Sequence, residues 1–183
     1  MKTYAKAPDA VSKIVTAMIE KYHPELKIEG VRIDCISAAS DDPDSPAVTL
    51  HGYPCSAIVK ILDSKQRAMG RGDAEIVIDE ARFKDLKVGQ QNALIDHELY
   101  HLAVKKNKYG RTKLDEHGRP KLKMRKHDRE YGWFDEIAHR HGSDSQECMQ
   151  ATQLYLSGKQ VYFEFALKMK LGDGVKATVK LMP

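Results

Sequence analysis

The chain has 183 residues, 42% of them hydrophobic and 31% charged, which excludes wholesale disorder and leaves room for one core rather than two. No apolar run approaches the roughly 20 residues that span a bilayer, and the basic start Met1-Lys2-Thr3-Tyr4-Ala5-Lys6 lacks the apolar stretch of a secretory signal. Cys35, Cys55 and Cys148 are widely spaced and form no Cys-x-x-Cys, which argues against a disulfide framework and against a cysteine-built zinc ribbon. A cytoplasmic monomer is the expectation.

Along the chain, Pro8 suits the first turn of a helix. Val11, Ile14, Val15, Met18, Ile19 and Tyr22 then form one apolar stripe, which His23-Pro24 ends. Val31 to Ile36 alternates and predicts a strand. Residues 37–46 (SAASDDPDSP) read as an acidic loop of turn formers. Ala57–Leu62 and Ala74–Asp79 predict two more strands, with Gly70-Arg71-Gly72-Asp73 turning between them. The second of these is expected at a sheet edge, where an extended peptide could add as a further strand.

From about Gln90 to Lys106 the pattern predicts a helix, with Ala93, Leu94, Leu99, Leu102 and Ala103 on its apolar side. Within it stands His97-Glu98-Leu99-Tyr100-His101. At i and i+4 the two histidines lie one above the other on one helix face, so both imidazoles can reach a single zinc ion. Glu98 sits at the neighbouring rim as a general base, while Tyr100 projects elsewhere and is assigned to packing.

The net charge of +4 hides an asymmetry. Between Lys105 and Lys126 there are ten Lys or Arg against Asp115 and Glu116, a surplus of eight, so the remainder is negative by four. Such a block marks a nucleic-acid surface or else a solvated basic hairpin around His117-Gly118. After it, Asp128 is expected to cap a helix with Tyr131, Phe134, Ile137 and Ala138 inward and Gly142 as its stop. Residues 143–156 suit a short helix. Val161 to Leu171 and Val175 to Leu181 alternate on either side of Gly172-Asp173-Gly174, which predicts a two-stranded ribbon. No internal repeat is visible.

A catalytic zinc takes three protein ligands and keeps a position for water. After His101 the candidates are His117, His127, Glu136, His139 and His141. His117 is in a turn, Glu136 and His139 fall mid-helix, and His141 is at a fraying end. His127 lies at the mouth of a helix, after a connection long enough to reverse the chain, and is the choice here. Tyr131, one turn on, is a candidate to stabilise an oxyanion, though an inward aromatic is the simpler assignment.

The run Leu94 to Leu102, followed by Lys126-His127-Asp128 and a helix through Phe134 to Gly142, resembles the phage metallopeptidase family. More distantly it is similar to the SprT-like (spartan-type) zinc peptidases, in which a third histidine opens a helix carrying an aromatic anchor. The chain departs from many of the latter in having no C-terminal cysteine zinc ribbon. The resemblance implies a small zincin-like α+β domain covering residues 1–183, with its core at about 8–142 and a C-terminal helix and β-hairpin over 143–183. A mixed or antiparallel sheet would pack on the HExxH helix. It also implies a zinc peptidase of phage type, working in the host cytoplasm on protein or peptide substrates. His97, His101 and His127 would hold Zn2+, and Glu98 would take the proton of a zinc-activated water. Two readings compete: a nucleic-acid-binding or host-interaction protein whose zinc only stabilises the fold, and a zinc hydrolase acting on a non-peptide bond. An intact Glu98 favours catalysis, since a structural site needs no base.

Overall fold

A computed structural model describes residues 1–42, 45–128 and 132–156. In chain order the elements are β1 (Lys2–Lys6), α1 (Asp9–Tyr22), α2 (Pro24–Ile28), β2 (Ile33–Ser40), β3 (Thr49–Leu50), β4 (Tyr53–Pro54) and β5 (Ala57–Ile61). There follow α3 (Ser64–Ala68), β6 (Ala74–Asp79), α4 (Glu80–Lys84), α5 (Val88–Tyr100), β7 (Leu102–Val104), β8 (Leu122–Met124), α6 (Asp135–His141), a 3-10 turn (Gly142–Asp144) and α7 (Gln146–Leu156). The ribbon expected over 161–181, and Tyr131, lie outside the described residues. No helix among the described residues is long and apolar enough to cross a membrane.

The fold is mixed α+β. Four strands form one sheet in the order β1-β2-β6-β5; β2 and β6 run parallel, and each outer strand is antiparallel to its neighbour. On one face Cys35, Ala57, Val59, Ala74, Ile76 and Ile78 meet Val11, Val15 and Met18 of α1 and Leu94, Ile95 and Leu99 of α5 in a single core. The α1 stripe thus packs as its periodicity predicts. On the other face Ala47 and Val48 cover Ala38 and Val77.

The position of β6 corrects the expectation of an edge strand. Ile76 and Ile78 are buried toward the helices and Val77 on the opposite face. A strand apolar on both sides belongs in the interior of a sheet, where both of its edges are paired. Among the described residues, the edge strands of this sheet are β1 and β5. The first half of the predicted acidic loop is likewise strand: Ser37 to Ser40 extend β2, held between β1 and β6.

The motif helix is shorter than its pattern suggests. It ends at Tyr100 with His101 as a C-cap still in helical conformation (φ −62°, ψ −25°), so the i, i+4 relation survives. The apolar residues that seemed to prolong it, Leu102 and Ala103, are buried in β7, which pairs antiparallel with β8. The Arg125 N–H donates to the His101 carbonyl at 2.6 Å, diverting the chain from the helical bond pattern.

Between β7 and β8 lies an arm built from two copies of one octapeptide, Lys105-Lys106-Asn107-Lys108-Tyr109-Gly110-Arg111-Thr112 and Lys113-Leu114-Asp115-Glu116-His117-Gly118-Arg119-Pro120. It is an internal repeat that becomes visible only once the two turns are seen side by side. In the first copy the Asn107 side-chain oxygen accepts from the N–H groups of Tyr109 (2.8 Å) and Arg111 (3.1 Å). In the second, Asp115 accepts from His117 (2.9 Å) and Arg119 (2.8 Å). Each turn closes on a left-handed glycine, Gly110 at φ 77° and Gly118 at φ 72°, a conformation a Cβ would strain. Lys105, Lys113 and Lys121 then bond in a ring: Lys105 N–H to Lys121 C=O, Lys113 to Lys105 and Lys121 to Lys113, each 2.8 Å. Buried charges fasten the arm to the sheet. Arg67 donates to Asp73 and, at 3.0 Å, to the Pro120 carbonyl, while Arg119 lies 2.7 Å from Asp73.

Candidate metal centre

His97 and His101 come from the last turn of α5, and His127 from the segment that follows β8. One ring nitrogen from each lies within 4.8 Å of the others, and the Nε2 atoms of His97 and His127 are 3.3 Å apart. Of the five residues weighed as third ligand, His127 alone meets the helix pair. His117 and His139 are exposed, Glu136 pairs with Arg140, and His141 bonds elsewhere.

The other nitrogens are committed. His97 Nδ1 is 2.7 Å from Glu147 Oε1, and His101 Nδ1 donates to the Arg125 carbonyl at 2.9 Å. Each bond selects the tautomer and aims Nε2 at the centre, as outer partners of metal-binding histidines do. Behind the cluster stands the fully buried Phe134, its ring centroid 4.8–5.0 Å from all three imidazoles. The aromatic expected to anchor the helix therefore backs the histidines directly. The expected cap is corrected: the helix begins at Asp135 with Phe134 as its N-cap, because the chain from Asp128 first passes Gly132 in a left-handed conformation. Asp128 reaches the helix only through its Oδ2, which accepts from the Asp135 N–H at 3.2 Å. Tyr100 packs edge-on against Phe134 and carries Arg125 over its face at 4.0 Å, the packing role expected of it.

Two of the three imidazoles are held toward their neutral form and the third is held the other way by its carboxylate neighbours. Burial pushes His101 down to about 4, with the charges of His97 and His127 adding to the effect. Burial and then His97 lower His127 also. For His97 burial works downward, but the bond to Glu147 and the charges of Glu98 and Glu147 outweigh it and raise the pKa. Three imidazoles this close cannot all be cations, and metal binding requires each to be neutral. Glu98 is buried, its carboxylate raised by desolvation and partly restrained by His97 and by a bond from the Val59 backbone. Glu147 is buried too, and its Oε2 has no hydrogen-bond partner among the described residues. Three converging imidazole nitrogens beside the buried carboxyl groups of Glu98 and Glu147 are a donor set that fits a metal ion. Among the described residues the set holds three nitrogen donors.

On the adjoining face of α5, Asp96 is wholly buried and gathers a different set. His23 Nε2 lies 2.6 Å from it, His141 Nε2 2.7 Å, and Arg140 3.2 Å. Burial acts to raise its pKa, but bonds from His141 and His23 and the charge of Arg140 hold it well below the usual carboxylate range. This cluster ties the end of α1 and the end of α6 to the motif helix. The Cys55 thiol, pushed up to about 11 by burial and then by Glu98 and Asp79, stays protonated at neutral pH and is no nucleophile. The open groove of about 390 Å³ beside Lys2, Tyr4, Ile58, Lys60 and Arg71 lies on the opposite face of the sheet and includes none of the histidines.

Sequence reasoning missed Glu147, Asp96, His23 and His141 as partners of this region. Asp96 alone carried a signal: a charged residue one step before His97 on a helix face that the hydrophobic pattern buries. Glu147 had none, lying fifty positions from His97 in a segment assigned only to a short helix.

Among known proteins, the family described as "Putative phage metallopeptidase" matches residues 2–154. No curated protein and no solved structure matches the chain.

Proposed function

The chain belongs to the phage metallopeptidase family, and from that premise we propose that it is a zinc-dependent peptidase whose metal is held by His97, His101 and His127. The observation that carries the proposal is the convergence of three imidazoles whose remaining nitrogens, in His97 and His101, are already bonded outward. Imidazole ligands in a set of three suit zinc. The metal, when bound, supplies Lewis acidity toward a carbonyl and lowers the pKa of water.

The chain's own groups supply the rest. Glu98 takes a proton from the attacking water and returns it to the leaving amine. Its desolvated carboxylate is the better base for a raised pKa, and the bond from Val59 fixes its direction. Phe134 and Tyr100 keep water from the back of the site, and Glu147 fixes the His97 ring.

Substrate docking falls to β5. Asp79 N–H bonds Ser56 C=O, and Leu62 N–H bonds Asp73 C=O. By alternation, the backbone groups of Ala57, Val59 and Ile61 face away from β6; the Val59 N–H is taken by Glu98, which leaves its carbonyl and the groups of Ala57 and Ile61 for a substrate. An extended peptide would add along that edge, beside Glu98.

The test is cleavage of a proteome-derived peptide library by zinc-loaded protein, compared with Glu98→Gln and with chelated protein. New termini made by wild type and absent from both controls support the reading. Equal cleavage by Glu98→Gln on the same peptides overturns it.

A further inference from the structure

We infer that the arm between His101 and His127 is a docking surface for nucleic acid, engaged through the phosphate backbone. The inference is independent of the metal centre.

It begins with what the fold neutralises. Of the ten cations between Lys105 and Lys126, Arg119 is bonded to Asp73 and Arg125 lies over Tyr100. Of the arm's two acids, the Asp115 side chain is buried 3.1 Å from Arg67, which leaves the exposed Glu116, 3.7 Å from the His117 ring, as the one carboxylate on its surface. The other eight, Lys105, Lys106, Lys108, Arg111, Lys113, Lys121, Lys123 and Lys126, are exposed and form no ion pair with any described carboxylate.

Their placement works against stability. The ring of backbone bonds sets Lys105, Lys113 and Lys121 at mutually paired positions, and like charges directly opposite across strands are destabilising. The arm is nonetheless rigidly built, with two side-chain-closed turns and a buried Arg67–Asp73–Arg119 anchor. A fold that fixes cations against their own repulsion is preorganised for a polyanion.

The chemistry favours nucleic acid over an anionic membrane. Tyr109, at the tip of the first turn, is 75% exposed, with Lys108 Nζ 5.0 Å from its ring centroid, and offers a face on which a base can stack. The arm lacks the Trp, Phe and Leu cluster that an interfacial anchor buries; its exposed apolar residues besides Tyr109 are Leu114 and Met124 alone. All of the exposed cations but Arg111 are lysines, which act as point charges on phosphate rather than as forks that read base edges. The binding is therefore sequence-independent.

The experiment is fluorescence anisotropy with labelled oligothymidylate and a labelled mixed-sequence duplex, between about 50 and 200 mM salt. Sedimentation with phosphatidylserine vesicles runs in parallel. Wild type is expected to bind both nucleic acids, with log affinity falling linearly in log salt. Replacing Lys105, Lys113, Lys121 and Lys123 by Gln should weaken binding by at least about tenfold and flatten the slope by nearly one unit for each phosphate no longer neutralised. Replacing Lys13, Lys21, Lys65 and Lys87 by Gln removes the same charge elsewhere and should leave binding within about threefold. The control variant should unfold at the wild-type temperature, and the arm variant at that temperature or somewhat above it, since its like charges are relieved. If the arm variant unfolds lower, Lys108→Gln with Arg111→Gln at the exposed tip repeats the test with a smaller loss in the same direction. Absence of binding at the lowest salt, equal losses in arm and control variants, or binding to vesicles but not to nucleic acid would each overturn the inference.

Discussion

Two clusters of histidines lie within one turn of each other on α5 and are built in opposite ways. Around Asp96, His23 and His141 point their Nε2 atoms at a carboxylate, Arg140 completes the shell, and the charges close among themselves. Around His97, His101 and His127 the ring nitrogens converge, and a carboxylate and a carbonyl stand behind the rings of His97 and His101. The first arrangement holds three elements together. The second leaves its ring nitrogens converging beside the buried carboxyl groups of Glu98 and Glu147, which is the arrangement a metal ion requires. Residue type does not separate the two; the direction of each ring nitrogen does.

The contrast is sharpest in substitutions that act on one cluster alone. Glu98→Gln should keep the metal and the fold while lowering turnover about 10²–10⁴-fold, since the amide cannot accept a proton. Metal analysis and cleavage kinetics on the same preparation check it, and a loss of metal would mean that Glu98 is structural. Asp96→Ala removes the shared acceptor of the other cluster and should cost about 3–5 kcal/mol in urea unfolding, by leaving Arg140 and two histidines without their buried partner. A cost as small as that of a surface substitution would show that the cluster does not hold α1 and α6. Glu147→Gln should leave the fold intact and weaken metal affinity about 10–100-fold, the usual effect of losing an outer partner of a ligating histidine. A chelator competition titration measures this. Last, His139→Ala, outside both clusters on the exposed side of α6, should change stability by less than about 0.5 kcal/mol and leave metal binding untouched. A loss of metal there would move the third ligand.

How far the sequence discloses these clusters follows from the range of the signals involved. His97 and His101 are visible because helical periodicity is local, and His127 because it follows a connection long enough to reverse the chain, although the helix expected to open there begins only at Asp135. Glu147 and His23 reach α5 across fifty or more positions, and no spacing rule links them. The strands over Ala57–Ile61 and Ala74–Asp79 are legible from alternation, but their neighbours are not. The interior place of β6 rests on burial of Val77 from the far side, which is a property of the sheet. β1 escapes notice because all five of its residues are exposed, so it joins the sheet through backbone bonds and leaves no apolar pattern. The false extension of α5 has the same root: Leu102 and Ala103 fit a helical stripe, and pairing with β8 overrides it. The repeat in the arm hides for another reason, since its copies share only Lys, Asn or Asp, Gly and Arg at fixed places. Those are the residues that make the turn and the charge, not a core.

The most direct test of the central claim is the metal content of the purified protein, measured by plasma mass spectrometry on wild type, His127→Ala and His141→Ala. About one zinc per chain in wild type and in His141→Ala, with loss in His127→Ala, is the expected result. Zinc retained in His127→Ala and lost in His141→Ala would contradict it, because the metal would then belong to the Asp96 cluster.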